Sequence, residues 1–186
     1  MRLLSVSALV FGLALPLLSS ASCGVLEGES FRPLAAREPV NLCERYEGQV
    51  VLVVNTASKC GFTPQYEGLE ALHQRLSERG FAVLGFPSGD FMGQEFEDEK
   101  QIAEFCTNTY AVKFPMFEKV SVKGEQAAPL FRELAEATGE EPGWNFHKYL
   151  LNREGQVVAS FGSRTKPDDA AMLAEIEKLL AAPAGG

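Results

Sequence analysis

A continuous apolar run over residues 50–54 is the feature of this sequence that most restricts its fold. Every residue of the run is valine or leucine, so the segment has no polar face to turn toward water. Strands of this kind are typical of sheets that are covered on both faces. The run therefore predicts a central β-strand with helices packed on each side of the sheet.

Helical and strand patterns alternate along the rest of the chain. Leucines at helical spacing precede Gly80, a predicted helix end, and residues 81–86 form a second apolar run that stops at Pro87. Further patterns predict a helix capped near Asp98, a helix around Phe131 and Leu134, a hairpin of residues 149–151 and 157–161, and a last helix around Met172 and Ile176. Together they predict an α/β fold with a mixed central β-sheet flanked by helices.

Composition limits the classes of function. The chain has 186 residues, of which 46% are hydrophobic and 23% are charged, as expected for one globular domain. It carries 17 basic and 25 acidic residues, for a net charge of -8. Because this charge repels a phosphate backbone, nucleic acid is not an expected partner.

The beginning of the chain has the pattern of an export signal. Arg2 precedes an apolar stretch over residues 8–18, which is too short to span a bilayer, and small residues follow at 19–22. The pattern predicts a signal peptide over residues 1–21 and a mature domain over residues 22–186. We therefore expect an exported, periplasmic protein, with a retained membrane anchor as the alternative.

Four cysteines, Cys23, Cys43, Cys60 and Cys106, permit three disulfide connectivities in an oxidising compartment. We expect Cys23 to pair with Cys43 and tie the mature N-terminus to the domain. The alternative is lipidation of Cys23, which would attach the protein to a membrane. Ser20 disfavours lipidation, because an aliphatic residue is expected at that position of a lipoprotein signal.

Cys60 lies between the first predicted strand and the helix that follows it. Reactive groups in open α/β sheets gather at the carboxyl ends of strands. The helix N-terminus and the neighbouring Lys59 would both favour a thiolate, although a buried structural cysteine is the alternative interpretation. Position 63 is threonine, so the closely spaced cysteine pair of disulfide-exchange proteins is absent from this segment.

Residues 53–64, V-V-N-T-A-S-K-C-G-F-T-P, resemble the active-site segment of glutathione peroxidases, in which the cysteine position is sometimes selenocysteine. The resemblance continues through G-F-P at 85–87, G-Q-E at 93–95, F-P-M-F at 114–117 and W-N-F at 144–146. It implies a thioredoxin-like fold and reduction of hydrogen peroxide or organic hydroperoxides, without metal or selenium. The catalytic tetrad of the family falls on Cys60, Gln94, Trp144 and Asn145.

These residue types suit the reaction. A thiolate that attacks a peroxide becomes a sulfenic acid while an alkoxide leaves, so the site must stabilise negative charge. Gln94, Trp144 and Asn145 all offer neutral N–H donors. On residue type alone, Trp144 would instead be a core anchor and the two amides would be loop residues.

Cys106 matches the resolving cysteine of similar non-selenium members, in the segment F-C-T-N-T-Y. That role implies an internal disulfide with Cys60, which an external thiol then reduces. Cys106 also lies on an apolar helix face with Ile102 and Phe105, so a structural role is the alternative. If Cys106 is buried, the helix must unwind locally, and we expect a mobile segment there.

Departures from the family pattern refine these expectations. Asp90 stands in a segment where many relatives read C-N-Q-F-G, and we expect it either to face solvent or to alter substrate entry. The insertion of tetrameric relatives before Trp144 is missing, which favours a monomer. Because no glutathione-binding arginine cluster is evident, a thioredoxin-like reductant is favoured over glutathione. Arg164 and Lys166 would attract acidic hydroperoxides or simply be solvated.

The competing hypothesis is an exported thioredoxin-fold protein that binds partners or exchanges disulfides and has no peroxidase activity. It predicts that Cys60 is oxidised or unreactive. A metal-dependent hydrolase is disfavoured, because the 2 histidines, His73 and His147, form no ligand-spaced cluster.

Overall fold

The structure is a computed structural model that describes residues 23–182, so the predicted signal peptide lies outside the described residues. The strands are β1 (Ser30–Phe31), β2 (Val40–Asn41), β3 (Val50–Thr56), β4 (Phe81–Pro87), β5 (Lys148–Leu151) and β6 (Val157–Phe161). The helices are α1 (Leu42–Tyr46), α2 (Gln65–Leu76), α3 (Glu99–Tyr110), α4 (Pro129–Thr138) and α5 (Ala170–Ala181). Within this part of the chain, no helix is long and apolar enough to cross a bilayer.

The main sheet has four strands in the order β4-β3-β5-β6. β3 pairs in parallel with β4, with Val50 opposite Phe81, and antiparallel with β5, with Val51 opposite Leu151. β5 and β6 form an antiparallel hairpin. The sheet is therefore mixed, and the apolar run that begins at Val50 lies in one of its two inner strands, as predicted.

Helices cover both faces of this sheet. Because side chains alternate along a strand, Val50, Leu52 and Val54 join one buried cluster, with residues of α2, α3 and α5. Val51 and Val53 join the opposite cluster, with residues of α4. The two clusters explain why every residue of β3 is buried, and they confirm the prediction drawn from this run.

The predicted boundaries of several elements are also confirmed. Gly80 ends the helical segment after α2 with a φ of 83°, a left-handed conformation that glycine adopts at little cost. The Asp98 side chain caps α3 by accepting a hydrogen bond from Lys100 N. The small β1–β2 hairpin and α1 were not predicted from the sequence.

A disulfide joins Cys23 to Cys43, with the two Cα atoms 5.4 Å apart. Cys43 lies in α1, and Cys23 is buried at the start of the described chain. The bond therefore ties the N-terminal segment to the domain, and the predicted pairing is confirmed.

Candidate active site

Cys60 lies in the tight loop between β3 and α2, where only 8% of its surface is exposed. The sulfur accepts a hydrogen bond from Phe62 N at 3.4 Å, and Cys60 N donates to Thr63 Oγ1 at 3.0 Å. A backbone N–H that points at sulfur stabilises a thiolate more than a neutral thiol. The loop thus gives the Cys60 sulfur one backbone hydrogen-bond donor.

The loop that follows β4 lies directly against the Cys60 loop. Lys59 N donates to Gln94 O at 2.9 Å, and Ser58 N donates to Glu95 Oε1 at 3.2 Å. The two loops meet because β3 and β4 are parallel neighbours, so both chains leave the sheet at the same edge. This contact brings Gln94 to the segment that carries the thiol.

Asn145 and Gln94 are joined directly. Asn145 is fully buried, and its Nδ2 donates to Gln94 Oε1 at 3.0 Å. The other amide oxygen, Asn145 Oδ1, is buried without a hydrogen-bond partner among residues 23–182. The bond leaves the Gln94 NH2 group available to another acceptor.

Trp144 is held beside this pair by its backbone and its ring. Trp144 O accepts from Asn55 Nδ2 at 3.1 Å, and the indole ring lies 5.4 Å from the ring of Phe91. Asn55 also accepts from His147 N at 3.0 Å through its side-chain oxygen. Asn55 therefore fixes both ends of the segment that carries the Trp-Asn pair, a role that the sequence analysis missed.

Cys106 lies in α3 and is almost completely buried. Burial raises the pKa of its thiol to about 11, the Tyr66 hydroxyl opposes this rise, and the charge of Glu95 adds to it. Cys60 and Cys106 belong to the same buried cluster, and both are free cysteines.

Two charged side chains near the predicted site, those of Lys59 and Asp90, make contacts with other residues. Lys59 Nζ lies 3.9 Å from the centroid of the Phe96 ring, in a cation–π contact. The Asp90 carboxylate accepts from Ser121 Oγ at 2.9 Å and from Val122 N at 2.6 Å. Asp90 therefore anchors its own loop to the segment before α4 and is not fully solvated.

An open cleft of about 390 Å³ lies beside Trp144. Its lining includes Phe62, which neighbours the Cys60 sulfur, and the exposed Arg164. Within the described chain, Arg164 forms no ion pair. The cleft therefore combines aromatic surface with an exposed cation.

A buried lysine connects the two walls of this cleft. Lys148 Nζ donates to Phe146 O at 2.6 Å and to Thr165 O at 2.8 Å. Burial lowers the pKa of this amine to about 7. Lys148 thus joins the Trp-Asn segment to the loop that carries Arg164. Across residues 23–182, no cluster of three or more histidine, cysteine or acidic side chains is arranged to bind a metal ion.

The sequence of this chain was compared with models of known protein families. The family model for glutathione peroxidase matches residues 30–135. The chain belongs to the glutathione peroxidase family.

Relatives of known name support this membership. A hydroperoxy fatty acid reductase of Synechocystis sp. is 47% identical over 169 residues, covering 86% of this chain and 93% of that protein. A glutathione peroxidase of Lactococcus lactis subsp. cremoris is 48% identical over 139 residues, covering 73% and 87% of the two chains. A glutathione peroxidase-like peroxiredoxin of Schizosaccharomyces pombe is 48% identical over 126 residues, covering 66% and 80%.

Solved structures agree. The crystal structure of apo Trgpx superposes with a TM-score of 0.68 at 34% identity and covers 89% of this chain and 99% of that one. A thioredoxin-family thiol:disulfide interchange protein of Chlorobium tepidum gives a TM-score of 0.63 at 14% identity, covering 82% and 93%, which shows the fold alone. The fold is thioredoxin-like, and the chain is a thiol-dependent peroxidase. The alternative without peroxidase activity is therefore disfavoured.

Proposed function

We propose that Cys60 is the residue that attacks the hydroperoxide, with Gln94, Trp144 and Asn145 as its hydrogen-bond donors. The observation that carries this assignment is the contact between the two loops. The sulfur receives an N–H bond in the loop before α2, and the adjoining loop presents Gln94, which is already bonded to Asn145. A thiolate and neutral donors are the groups that this reaction requires.

The first step transfers one oxygen atom. The Cys60 thiolate attacks the distal peroxide oxygen, the O–O bond breaks, and the alkoxide or hydroxide leaves with the electron pair. The leaving oxygen takes up a proton, and Cys60 becomes a sulfenic acid. N–H donors aimed at the peroxide oxygens lower the barrier, because negative charge develops there in the transition state.

Cys106 resolves the sulfenic acid in the second step. Its sulfur bonds to the Cys60 sulfur and releases water, which leaves a disulfide for an external thiol to reduce. Cys106 is buried within α3, and its carbonyl accepts from Val112 N at 3.2 Å beyond the helix end. The C-terminal half of α3 must therefore open before the two sulfurs reach bonding distance.

A thioredoxin-like dithiol protein is the reductant that we favour over glutathione, and the substrates are hydrogen peroxide and organic hydroperoxides. The cleft that contains Phe62 and Arg164 would receive the organic part of the substrate. One relative is named a hydroperoxy fatty acid reductase, which favours acidic hydroperoxides for this cleft. We further propose that the protein is exported to the periplasm, because residues 1–21 have the pattern of a signal peptide. We propose a monomer because the insertion that tetrameric relatives carry before Trp144 is missing.

Coupled turnover tests this function directly. Mature wild-type protein and Cys60→Ala are each given hydrogen peroxide with a thioredoxin system and, separately, with a glutathione system. We expect turnover by the wild type, faster with thioredoxin, and none by Cys60→Ala. Equal turnover by both proteins would refute the assignment of Cys60.

A further inference from the structure

Lys148 is fully buried at the start of β5. It lies opposite Val54 of β3, and because side chains alternate along a strand, it shares a face of the sheet with Leu150. Val54 and Leu150 both belong to the buried apolar cluster on the α2 side of the sheet. An amine in such a layer loses its hydration, so it is tolerated only where the protein supplies its hydrogen-bond partners.

The amine of Lys148 bonds to two separate segments of the chain. Its Nζ donates to Phe146 O at 2.6 Å and to Thr165 O at 2.8 Å. Phe146 directly follows Asn145, whereas Thr165 directly follows Arg164, which lines the cleft. Both acceptors are backbone carbonyls, so the amine fixes the path of the chain on each side.

Phe146 needs this support because its backbone is strained. Its φ is 63°, a left-handed conformation that bulky residues rarely adopt. Its N–H donates to Asn55 O at 2.7 Å, and its carbonyl accepts from Lys148. A residue in such a conformation persists only where its surroundings fix it from several sides. The two bonds therefore fix the backbone from which the Asn145 amide reaches Gln94.

Arg164 belongs to a turn whose backbone is held on both sides of the arginine. Ser163 O accepts from Gln65 Nε2 at 2.6 Å, and Thr165 O accepts from Lys148. The carbonyls immediately before and after Arg164 are thus both bonded to buried side chains. This arrangement keeps the exposed cation beside the cleft, although its own side chain is free to move in solvent.

We propose that Lys148 is a positioning residue for the attack on the hydroperoxide. Its two hydrogen bonds hold the Trp144–Asn145 segment and the turn of Arg164 at a fixed distance from each other. This inference rests on the function proposed above for Cys60 and Asn145. An apolar side chain would fill the same layer without burying an amine, but it would leave both carbonyls without this donor.

Lys148→Met tests the proposal, because methionine keeps an unbranched side chain of similar length and removes the donors. Reduced protein is mixed with hydrogen peroxide, and peroxide loss and disulfide formation are followed in rapidly quenched samples. We expect the rate constant of attack to fall about 10-fold or more, since small displacements of catalytic groups have effects of this order. Disulfide formation should stay within about twofold of wild type, because that step does not use the Asn145 amide. Lys178→Met, at a side chain that is 74% exposed, should change neither step.

A double variant distinguishes positioning from general damage. If Lys148 acts through Asn145, the attack by Asn145→Ala/Lys148→Met should be within about threefold of that by Asn145→Ala alone, because the amide that Lys148 positions is already gone. Two independent defects would instead multiply. A double variant slowed by the full product of the single effects would contradict the proposal.

A comparison of substrates tests the link to Arg164. The ratio of the attack rate constants for a fatty acid hydroperoxide and for neutral cumene hydroperoxide should fall about threefold in Lys148→Met, a modest change because the arginine is exposed. An unchanged ratio would overturn the role of Lys148 in holding this turn.

The outcomes separate this inference from the function on which it rests. Attack by Lys148→Met at the wild-type rate would overturn the inference and leave the assignment of Cys60 intact. Failure of the wild type to consume hydrogen peroxide would refute the proposed function itself. If Lys148→Met does not fold, Lys148→Gln replaces it, because an NH2 group one bond shorter cannot reach both carbonyls. The same losses are then expected, and wild-type rates would again overturn the inference.

Discussion

Asn145 Nδ2 donates a 3.0 Å hydrogen bond to Gln94 Oε1, which joins the loop after β4 to the segment before β5. The two residues are far apart in the chain, and each is held independently. The backbone of Gln94 accepts from Lys59, whereas the Trp144–Asn145 segment is tied to Asn55. The side-chain bond therefore orients the Gln94 amide against the loop of Cys60 rather than leaving it to rotate.

Loss of this bond should slow the reaction with peroxide. We expect Asn145→Ala to reduce the second-order rate constant for sulfenic acid formation by about 10²-fold, the usual effect of removing one donor from a site of developing negative charge. Stopped-flow fluorescence of Trp144 would report the step. Asn108→Ala, at an exposed position of α3, is the control. A normal rate in Asn145→Ala would show that the bond is not needed.

The Cys23–Cys43 disulfide should stabilise the protein without entering the catalytic cycle. It closes a loop with a sequence separation of 20 residues. Replacing both cysteines with alanine should lower the free energy of unfolding by about 2–4 kcal/mol, mainly because the unfolded chain gains freedom. Urea denaturation would measure the loss, and peroxidase activity at 25 °C should be retained. An inactive but folded double variant would indicate a redox role for this pair.

Buried Lys148 should make stability depend on pH above neutrality. The pKa of its amine is lowered to about 7 in the folded protein, from an ordinary value of 10.5. Between these values the unfolded chain binds more protons than the native one, so stability should rise with pH, by at most about 1.4 kcal/mol per unit. Lys148→Met should abolish this contribution, whereas Lys166→Met, at an exposed position, should not. Parallel curves of unfolding free energy against pH for wild type and Lys148→Met would contradict the account.

Arg164 should select hydroperoxides that carry a carboxylate. Reversing its charge with Arg164→Glu should raise the KM for a fatty acid hydroperoxide about fivefold, a modest effect because the side chain is exposed and screened by solvent. The KM for neutral cumene hydroperoxide should not change. Lys166→Glu reverses a charge two residues away and serves as the control. Equal effects of the two variants would mean that only overall charge matters.

The long helices and strands were predictable because their buried residues recur at regular intervals in the sequence. The inner strand β3 and its parallel neighbour β4 are fully apolar over most of their length, and the cap residue Asp98 precedes a clear helical pattern. β1 and β2 have two residues each and α1 has five. Elements that short contain no full period, and their positions depend on contacts with distant residues.

The residues of the site also fall into two groups, those that the sequence identified and those that it did not. Cys60, Gln94 and Asn145 were identified from their resemblance to one family, since nothing in their spacing alone marks them. Asn55 and Glu95 were missed because both are buried by residues that lie far away in the sequence, and burial of this kind leaves no local pattern. Asn55 bonds to His147 across 92 positions of the chain. The role of Lys148 was also not predicted, because a lysine in a strand is normally expected at the surface.

The central claim is that the Cys60 sulfur receives the peroxide oxygen. Reduced Cys60→Ser and Cys106→Ser proteins are each mixed with one equivalent of hydrogen peroxide and a sulfenic acid trap, and the modified residue is located by mass spectrometry. The account predicts that Cys106→Ser consumes the peroxide and carries the trap on Cys60, while Cys60→Ser consumes none. Peroxide consumption by Cys60→Ser at the wild-type rate would contradict it.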